Sequence, residues 1–260
     1  MPEDPVIAAH YDRAVDAYEA AARGPLREHR TWPTSESLLP ELNGTRVLDA
    51  GCGPGVHAAA MGTTGATVEG IDLSRSMIEH ARTEYGDRAT FSHGDIRTDL
   101  CDRSADAFDA ILCQLTLSHI AELEPVFAGF AHVLRPGGIA VVVGHHPLFD
   151  YLVVRERDYP QPPGAYDLEI EPEVLVDRHP PRYHDTEPYA IRWAPAADPV
   201  RYYRRPLSAL LDGATTADFA IDRIVEAEPD ETFRAERSDS AAAMAELPPE
   251  ILGLRLVLDD

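Results

Sequence analysis

The residues best placed for chemistry are three aspartates, Asp49, Asp72 and Asp95, each set at or just beyond the end of a short apolar run. The first stands in Val47-Leu48-Asp49-Ala50-Gly51-Cys52-Gly53-Pro54-Gly55, an apolar segment that runs into an acid and a glycine-rich turn. Glycines in such a turn allow positive φ and close approach of backbone to a ligand. Asp72 lies 21 residues beyond Gly51, at the end of Gly70-Ile71-Asp72. A carboxylate there can accept both hydroxyls of a ribose. Asp95, in His93-Gly94-Asp95-Ile96, can meet an adenine amino group while Ile96 lies against the ring. The turn is not a dinucleotide fingerprint. Its third small residue would fall at Val56, and Gly55 comes one step early. Pyrophosphate binding at the helix start is the weaker reading.

Proton-transfer candidates cluster further along. His119 follows Gln114-Leu115-Thr116-Leu117-Ser118, and His145 and His146 precede Asp150 and Tyr151. A histidine with an ordinary pKa of about 6.5 can take a proton from a hydroxyl; His146 and His119 are the candidate bases. The histidines show no carboxylate–His spacing, so a metal site is not expected. His145, Tyr151, Tyr183, Trp193, Tyr203 and Arg204 could line a pocket for a second ligand, Arg204 or Arg205 holding an anionic group.

These residues need a scaffold that brings strand ends to one edge. Strands are expected at 46–50, 66–71, 89–93, 107–113 and 138–144, with helices at about 55–62, 74–85 and 121–134. Leu134-Arg135-Pro136-Gly137-Gly138 reads as a helix stop and turn. Such alternation implies parallel strands joined by right-handed crossovers. Residues 1–45 read as one or two helices. Half of the 22 prolines fall within 147–206, which predicts an irregular lobe or lid without long helices or central strands. A helix at about 206–217 and strands at 219–226 and 253–258 return the chain to the sheet. The segment 229–250 reads as a loop with a short helix.

At 260 residues the chain suits one large α/β domain with an insertion. No apolar run is long enough for a membrane span, and the acidic start lacks a secretory signal's apolar segment. Cys52, Cys101 and Cys113 show no disulfide or zinc spacing and fit a reducing cytoplasm. Asp plus Glu number 45 against 23 basic residues, a formal charge of −22, and every basic residue is arginine. The absence of lysine and the acidic excess resemble proteins of salt-accumulating archaea. The charge also disfavours nucleic acid as a partner. The short Arg201-Tyr202-Tyr203-Arg204-Arg205 cluster does not outweigh it.

Together these motifs resemble class I S-adenosylmethionine-dependent methyltransferases, of the small-molecule kind. The likeness covers about 45–145 well and 206–260 loosely. It implies a Rossmann-like α/β fold with a seven-stranded sheet ordered 3-2-1-4-5-7-6, the last strand antiparallel. It also implies an N-terminal helical cap over 1–45, a core of 46–146 plus 206–260, and a Pro-rich inserted lid over 147–205. S-adenosylmethionine is the implied cofactor and S-adenosylhomocysteine its product. The resemblance places Asp49, Gly51 and Gly53 near the methionine part, Asp72 on ribose, and Asp95 with Ile96 on adenine. Gln114 and Leu115 fall beside the sulfonium, and Tyr11, Tyr18 and Arg30 cover the methionine carboxylate. Cys52, Gly55, Leu73, Met77 and Gly94 complete the implied cofactor set. The small C-terminal turn Thr216-Ala217-Asp218 departs from the resemblance, which has a glycine there. The expected activity is methyl transfer to a small organic acceptor. Alternatives are a tRNA or protein methyltransferase, a non-catalytic S-adenosylmethionine-binding protein, and a nicotinamide oxidoreductase.

Overall fold

The computed structural model describes residues 5–24, 27–156, 173–175, 182–192, 199–228, 230–236, 241–242 and 248–259. The first strands and helices alternate as their apolar periodicity requires: β1 (Arg46–Ala50), α4 (Val56–Gly62), β2 (Thr67–Asp72), α5 (Arg75–Tyr85), β3 (Thr90–His93) and β4 (Phe108–Gln114). Then come α6 (Glu124–Val133) and β5 (Leu134–His145), and, after the lobe, α8 (Leu207–Thr215), β9 (Phe219–Glu226) and β10 (Ile251–Leu258). The sheet order is β3-β2-β1-β4-β5-β10-β9, with β10 antiparallel to both neighbours. Counting sheet strands alone, this is the expected 3-2-1-4-5-7-6.

Both faces of the sheet are covered, so adjacent strand residues go to opposite cores. Leu48, Ile111, Val142 and Leu254 pack with Phe127 and Phe130 of α6 and Leu210 of α8. Val47, Leu112, Val141 and Val143 pack with Met61 of α4, Ile78 of α5 and Leu38. Each fully buried Phe or Leu contributes roughly 1.5–3 kcal/mol. The parallel strands β1, β2, β3 and β4 therefore end together along one rim, where their loops face the ligand side.

The N-terminal segment forms three helices, α1 (Pro5–Asp12), α2 (Val15–Ala22) and α3 (Trp32–Leu38), the last entered through a π-turn at Arg27–Thr31. Asp12 ties this cap to the core: its Oδ1 accepts from Ser74 Oγ at 2.6 Å and from Ser76 N at 3.1 Å.

The described residues of the proline-rich lobe include regular elements that its composition does not predict. It contains α7 (Pro147–Glu156) and an antiparallel sheet of β6 (Glu173–Leu175), β7 (Glu187–Arg192) and β8 (Val200–Arg204). Pro188 sits in the middle strand beyond the stretch, residues 190–192, that pairs with β6 among the described residues. The expected turn at 135–138 is instead the irregular start of β5, with Gly137 at φ 69° and a register shift opposite Phe108–Ala110. No helix among the described residues is long and apolar enough to cross a membrane.

Candidate active site

Where β1 ends, the chain turns sharply. Gly51 has φ 80°, and a Cβ there would strike the Thr116 side chain at 2.3 Å, so only glycine fits. Asp72, at the end of β2, holds this turn from the side: its Oδ2 accepts from Gly53 N at 2.9 Å and its Oδ1 from Ser74 N at 2.8 Å. Burial outweighs these hydrogen bonds and raises the Asp72 pKa. Asp49 is more extreme. It is buried, its Oδ2 has no hydrogen-bond partner, and its pKa is pushed up to about 7 by burial and by the neighbouring Asp72 charge.

One cleft gathers most of the residues expected from the sequence. Tyr11, Tyr18, Gly51, Gly53, Asp72 and Leu73 line it, with Met77, Gly94, Asp95, Ile96 and Leu115. A recess under α2 adds Asp49, Cys52 and Gln114. Leu115 sits at φ 56°, a left-handed conformation that costs a branched residue about 1–3 kcal/mol. Asp95 is engaged by Arg97, whose Nε lies 2.9 Å from both carboxylate oxygens. Burial opposes ionisation of Asp95, but the Arg97 bonds and charge prevail and hold its pKa below the usual range.

Beyond Leu115 the cleft reaches a pair that could handle a proton. The Tyr11 hydroxyl lies 2.8 Å from His119 Nε2, and His119 Nδ1 lies 2.9 Å from the Arg201 carbonyl oxygen. A carbonyl only accepts, so Nδ1 carries the proton, and Nε2 presents its lone pair to the Tyr11 O–H. Burial pulls the His119 pKa down to about 4 and pushes that of Tyr11 well above its ordinary value. At neutral pH the pair is an uncharged imidazole beside a protonated phenol.

Several expected residues are placed elsewhere. Arg30 is buried against Glu250, with Nη1 2.6 Å from Oε2, and lines neither part of the cleft. Arg27, one turn earlier, enters the recess beside Asp49, Tyr18 and His57; the sequence reading missed it. Gly55, at φ 89°, faces Ala81 and Phe91 and serves packing of α4 rather than the cleft. His146 is not a base in this geometry. Its Nδ1 accepts from Leu148 N at 3.1 Å, capping α7, and its Nε2 lies 3.2 Å from Glu226. Arg204 is also structural, paired with Glu187 at 2.5 Å and donating to the carbonyls of Arg182 and Asp185.

Tyr151 and Tyr183 pack edge to face within the lobe, at 5.5 Å between ring centres. His145 and Tyr203 line a separate, smaller cavity. Trp193 lies outside the described residues.

Comparison with known proteins bears on this geometry. Residues 47–138, which carry the glycine turn and all three aspartates, match the family described as methyltransferase domain. Residues 47–138 thus resemble a methyltransferase domain, set on a fold shared with solved S-adenosylmethionine-dependent methyltransferases. A ubiquinone biosynthesis O-methyltransferase of Aromatoleum aromaticum is 33% identical over 129 residues, which is 42% of this chain and 55% of that protein. The chain spans about half the length of the curated relatives it matches. A putative S-adenosylmethionine-dependent methyltransferase of Listeria monocytogenes superposes with a TM-score of 0.70 at 22% identity, covering 88% of this chain and 97% of that one. One from Mesorhizobium loti gives 0.66 at 24%, covering 87% and 96%. At those identities the structures establish the shared fold.

The residues present fit the cofactor of this domain class. A buried carboxylate oxygen without a partner, on Asp49, faces the same recess as the Arg27 guanidinium. An ammonium and a carboxylate on one ligand would satisfy both.

Proposed function

We propose that this protein transfers a methyl group from S-adenosylmethionine to a proton-bearing oxygen or nitrogen of a small organic acceptor. The observation that carries the reading is the continuity of one cleft from the Gly51–Gly53 turn and Asp72 to the Tyr11–His119 pair. Bound there, the cofactor would supply a sulfonium methyl already activated for in-line displacement. The protein's own work is then alignment and exclusion of water.

Asp49 and Arg27 would hold the amino-acid end, Asp72 the ribose hydroxyls, and Ile96 and Met77 the base. His119 Nε2 would take the acceptor's proton, directly or through the Tyr11 hydroxyl, with the Arg201 carbonyl fixing the imidazole. The lobe and α1 would close the acceptor side, where Tyr11 packs on the lobe's Tyr202 cluster. The relatives' name, O-methyltransferase of ubiquinone biosynthesis, supports a small-molecule acceptor. The free cysteines suit a cytoplasmic setting.

Calorimetry with S-adenosylhomocysteine and with NAD tests this. Asp72→Ala should weaken S-adenosylhomocysteine binding by about 1–3 kcal/mol, the loss of charge-assisted hydrogen bonds. Preference for NAD, or an unchanged affinity in the variant, would reject the assignment.

A further inference from the structure

The Leu117–Ile120 segment separates the cleft from a second cavity, whose polar wall is Ser118, His145, Asp150, Tyr203 and Arg205. Tyr202 stands between the two spaces. It packs 4.4 Å from the His119 ring on one side and stacks on His145 at 6.0 Å on the other. His119 and the Arg205 cavity therefore lie on opposite sides of one thin partition, close enough for two ends of a single acceptor if the Tyr202 ring turns aside.

Arg205 is the unusual member of the wall. Among the described residues three arginines are buried: Arg30 at 3%, Arg204 at 1% and Arg205 at 8% exposed. The first two each hold a glutamate, Glu250 and Glu187. Arg205 holds none. Its Nη2 donates to the Leu117 carbonyl at 3.2 Å and to the Ile120 carbonyl, leaving Nε and Nη1 without a protein acceptor among the described residues. Asp150 acts on it only through space, because Asp150 Oδ1 is already engaged by the Tyr189 hydroxyl at 3.0 Å and by His145 Nδ1 at 3.2 Å. Burial without an ion-pair partner lowers the Arg205 pKa to about 10.

A buried charge lacking its counter-ion is costly. In a chain with 45 acidic residues against 23 basic ones, a protein carboxylate would be the easy remedy. No carboxylate among the described residues lies within ion-pair distance of Arg205. Asp150, in the same wall, is held by Tyr189 and His145 and acts on it only through space, so a ligand can supply the direct counter-charge.

We propose that this cavity receives an anionic group of the methyl acceptor, a carboxylate or phosphate, with Arg205 as counter-ion and the Ser118 and Tyr203 hydroxyls as donors. The inference rests on the methyltransferase reading above and narrows its acceptor to organic anions.

Benzoate, phenyl phosphate and neutral benzamide, titrated into protein saturated with S-adenosylhomocysteine, test it. At least one anion should bind about tenfold or more tighter than benzamide, the effect of one charge-assisted hydrogen bond. Whichever anion shows the preference identifies the group. Arg205→Gln should abolish it. Because Arg205 also anchors two loop carbonyls, Arg205→Lys serves as the second variant; it keeps the charge, loses the Nε and Nη1 donors, and should retain only part of the preference.

Equal binding of the three probes, or a preference unchanged in both variants, overturns the inference while bound S-adenosylhomocysteine leaves the methyltransferase reading intact. Failure to bind S-adenosylhomocysteine overturns both.

Discussion

Asp49 gives the sharpest test of the cofactor site, because its protonation and ligand binding must compete. In the free protein its pKa is about 7, raised by burial and by Asp72. A ligand ammonium favours the ionised form, so binding near neutral pH should release a proton. With a pKa of 7, the ionised fraction is about 9% at pH 6 and about 91% at pH 8, so affinity should rise about tenfold, about 1.4 kcal/mol, across that interval and then flatten. Stability runs the other way. A carboxyl whose folded pKa exceeds its unfolded 3.8 stabilises the fold below that value, and the contribution is lost as pH rises through about 7. The full difference is on the order of 4 kcal/mol. Asp49→Asn should therefore make the free protein more stable at pH 8 and its melting temperature less sensitive to pH. The same change should weaken S-adenosylhomocysteine at pH 8 and remove the slope. Asp72→Asn should keep a slope but move its midpoint to lower pH, since a neighbouring negative charge is gone. Calorimetry from pH 5.5 to 8.5 reads these quantities. Wild-type affinity that stays level between pH 6 and 8 would refute the reasoning, as would an Asp49→Asn variant that binds as tightly as wild type.

Two further predictions concern stability. Asp218 holds φ 62° in the turn between α8 and β9, so Asp218→Gly should stabilise by about 0.5–1 kcal/mol and raise the melting temperature by roughly 2 °C. Thermal unfolding that is unchanged or earlier would contradict this. The −22 charge should make stability climb from low to molar KCl as repulsion is screened. A melting temperature indifferent to KCl would remove the salt-adapted reading.

What could be read in advance was whatever depends on local periodicity. Strand-end acids and a glycine turn lie within a few residues of the strands that carry them, so Asp49, Asp72 and Gly51 arrive where spacing puts them. The lobe was harder. Its prolines argue against a sheet, yet Pro188 lies where β7 pairs with β8 on one side and, among the described residues, has no partner on the other. The histidines divide on partners remote in sequence: His119 meets Tyr11 from 108 residues away, while His146 turns to its own helix and to Glu226. No spacing rule reports that.

The arginines show the same limit in a form that bears on function. Arg27 and Arg30 share one π-turn, and the turn sends one to the recess and the other to Glu250 on the far side of the chain. Arg204 ends β8 and Arg205 follows it, so the two side chains leave in different directions. The first is consumed by Glu187 and two carbonyls of the lobe; the second crosses to the loop that bears His119. In each pair one arginine is spent on holding the fold, and the other keeps donors facing a ligand space. Residue type alone cannot separate them, because the sorting depends on which carboxylate the tertiary fold delivers. In so acidic a chain, a half-buried or buried arginine with no carboxylate at ion-pair distance among the described residues carries more information than one that has it, even where, as for Arg27, it leans on a tyrosine. That asymmetry is why Arg27 and Arg205, rather than Arg30 and Arg204, are assigned to ligand recognition.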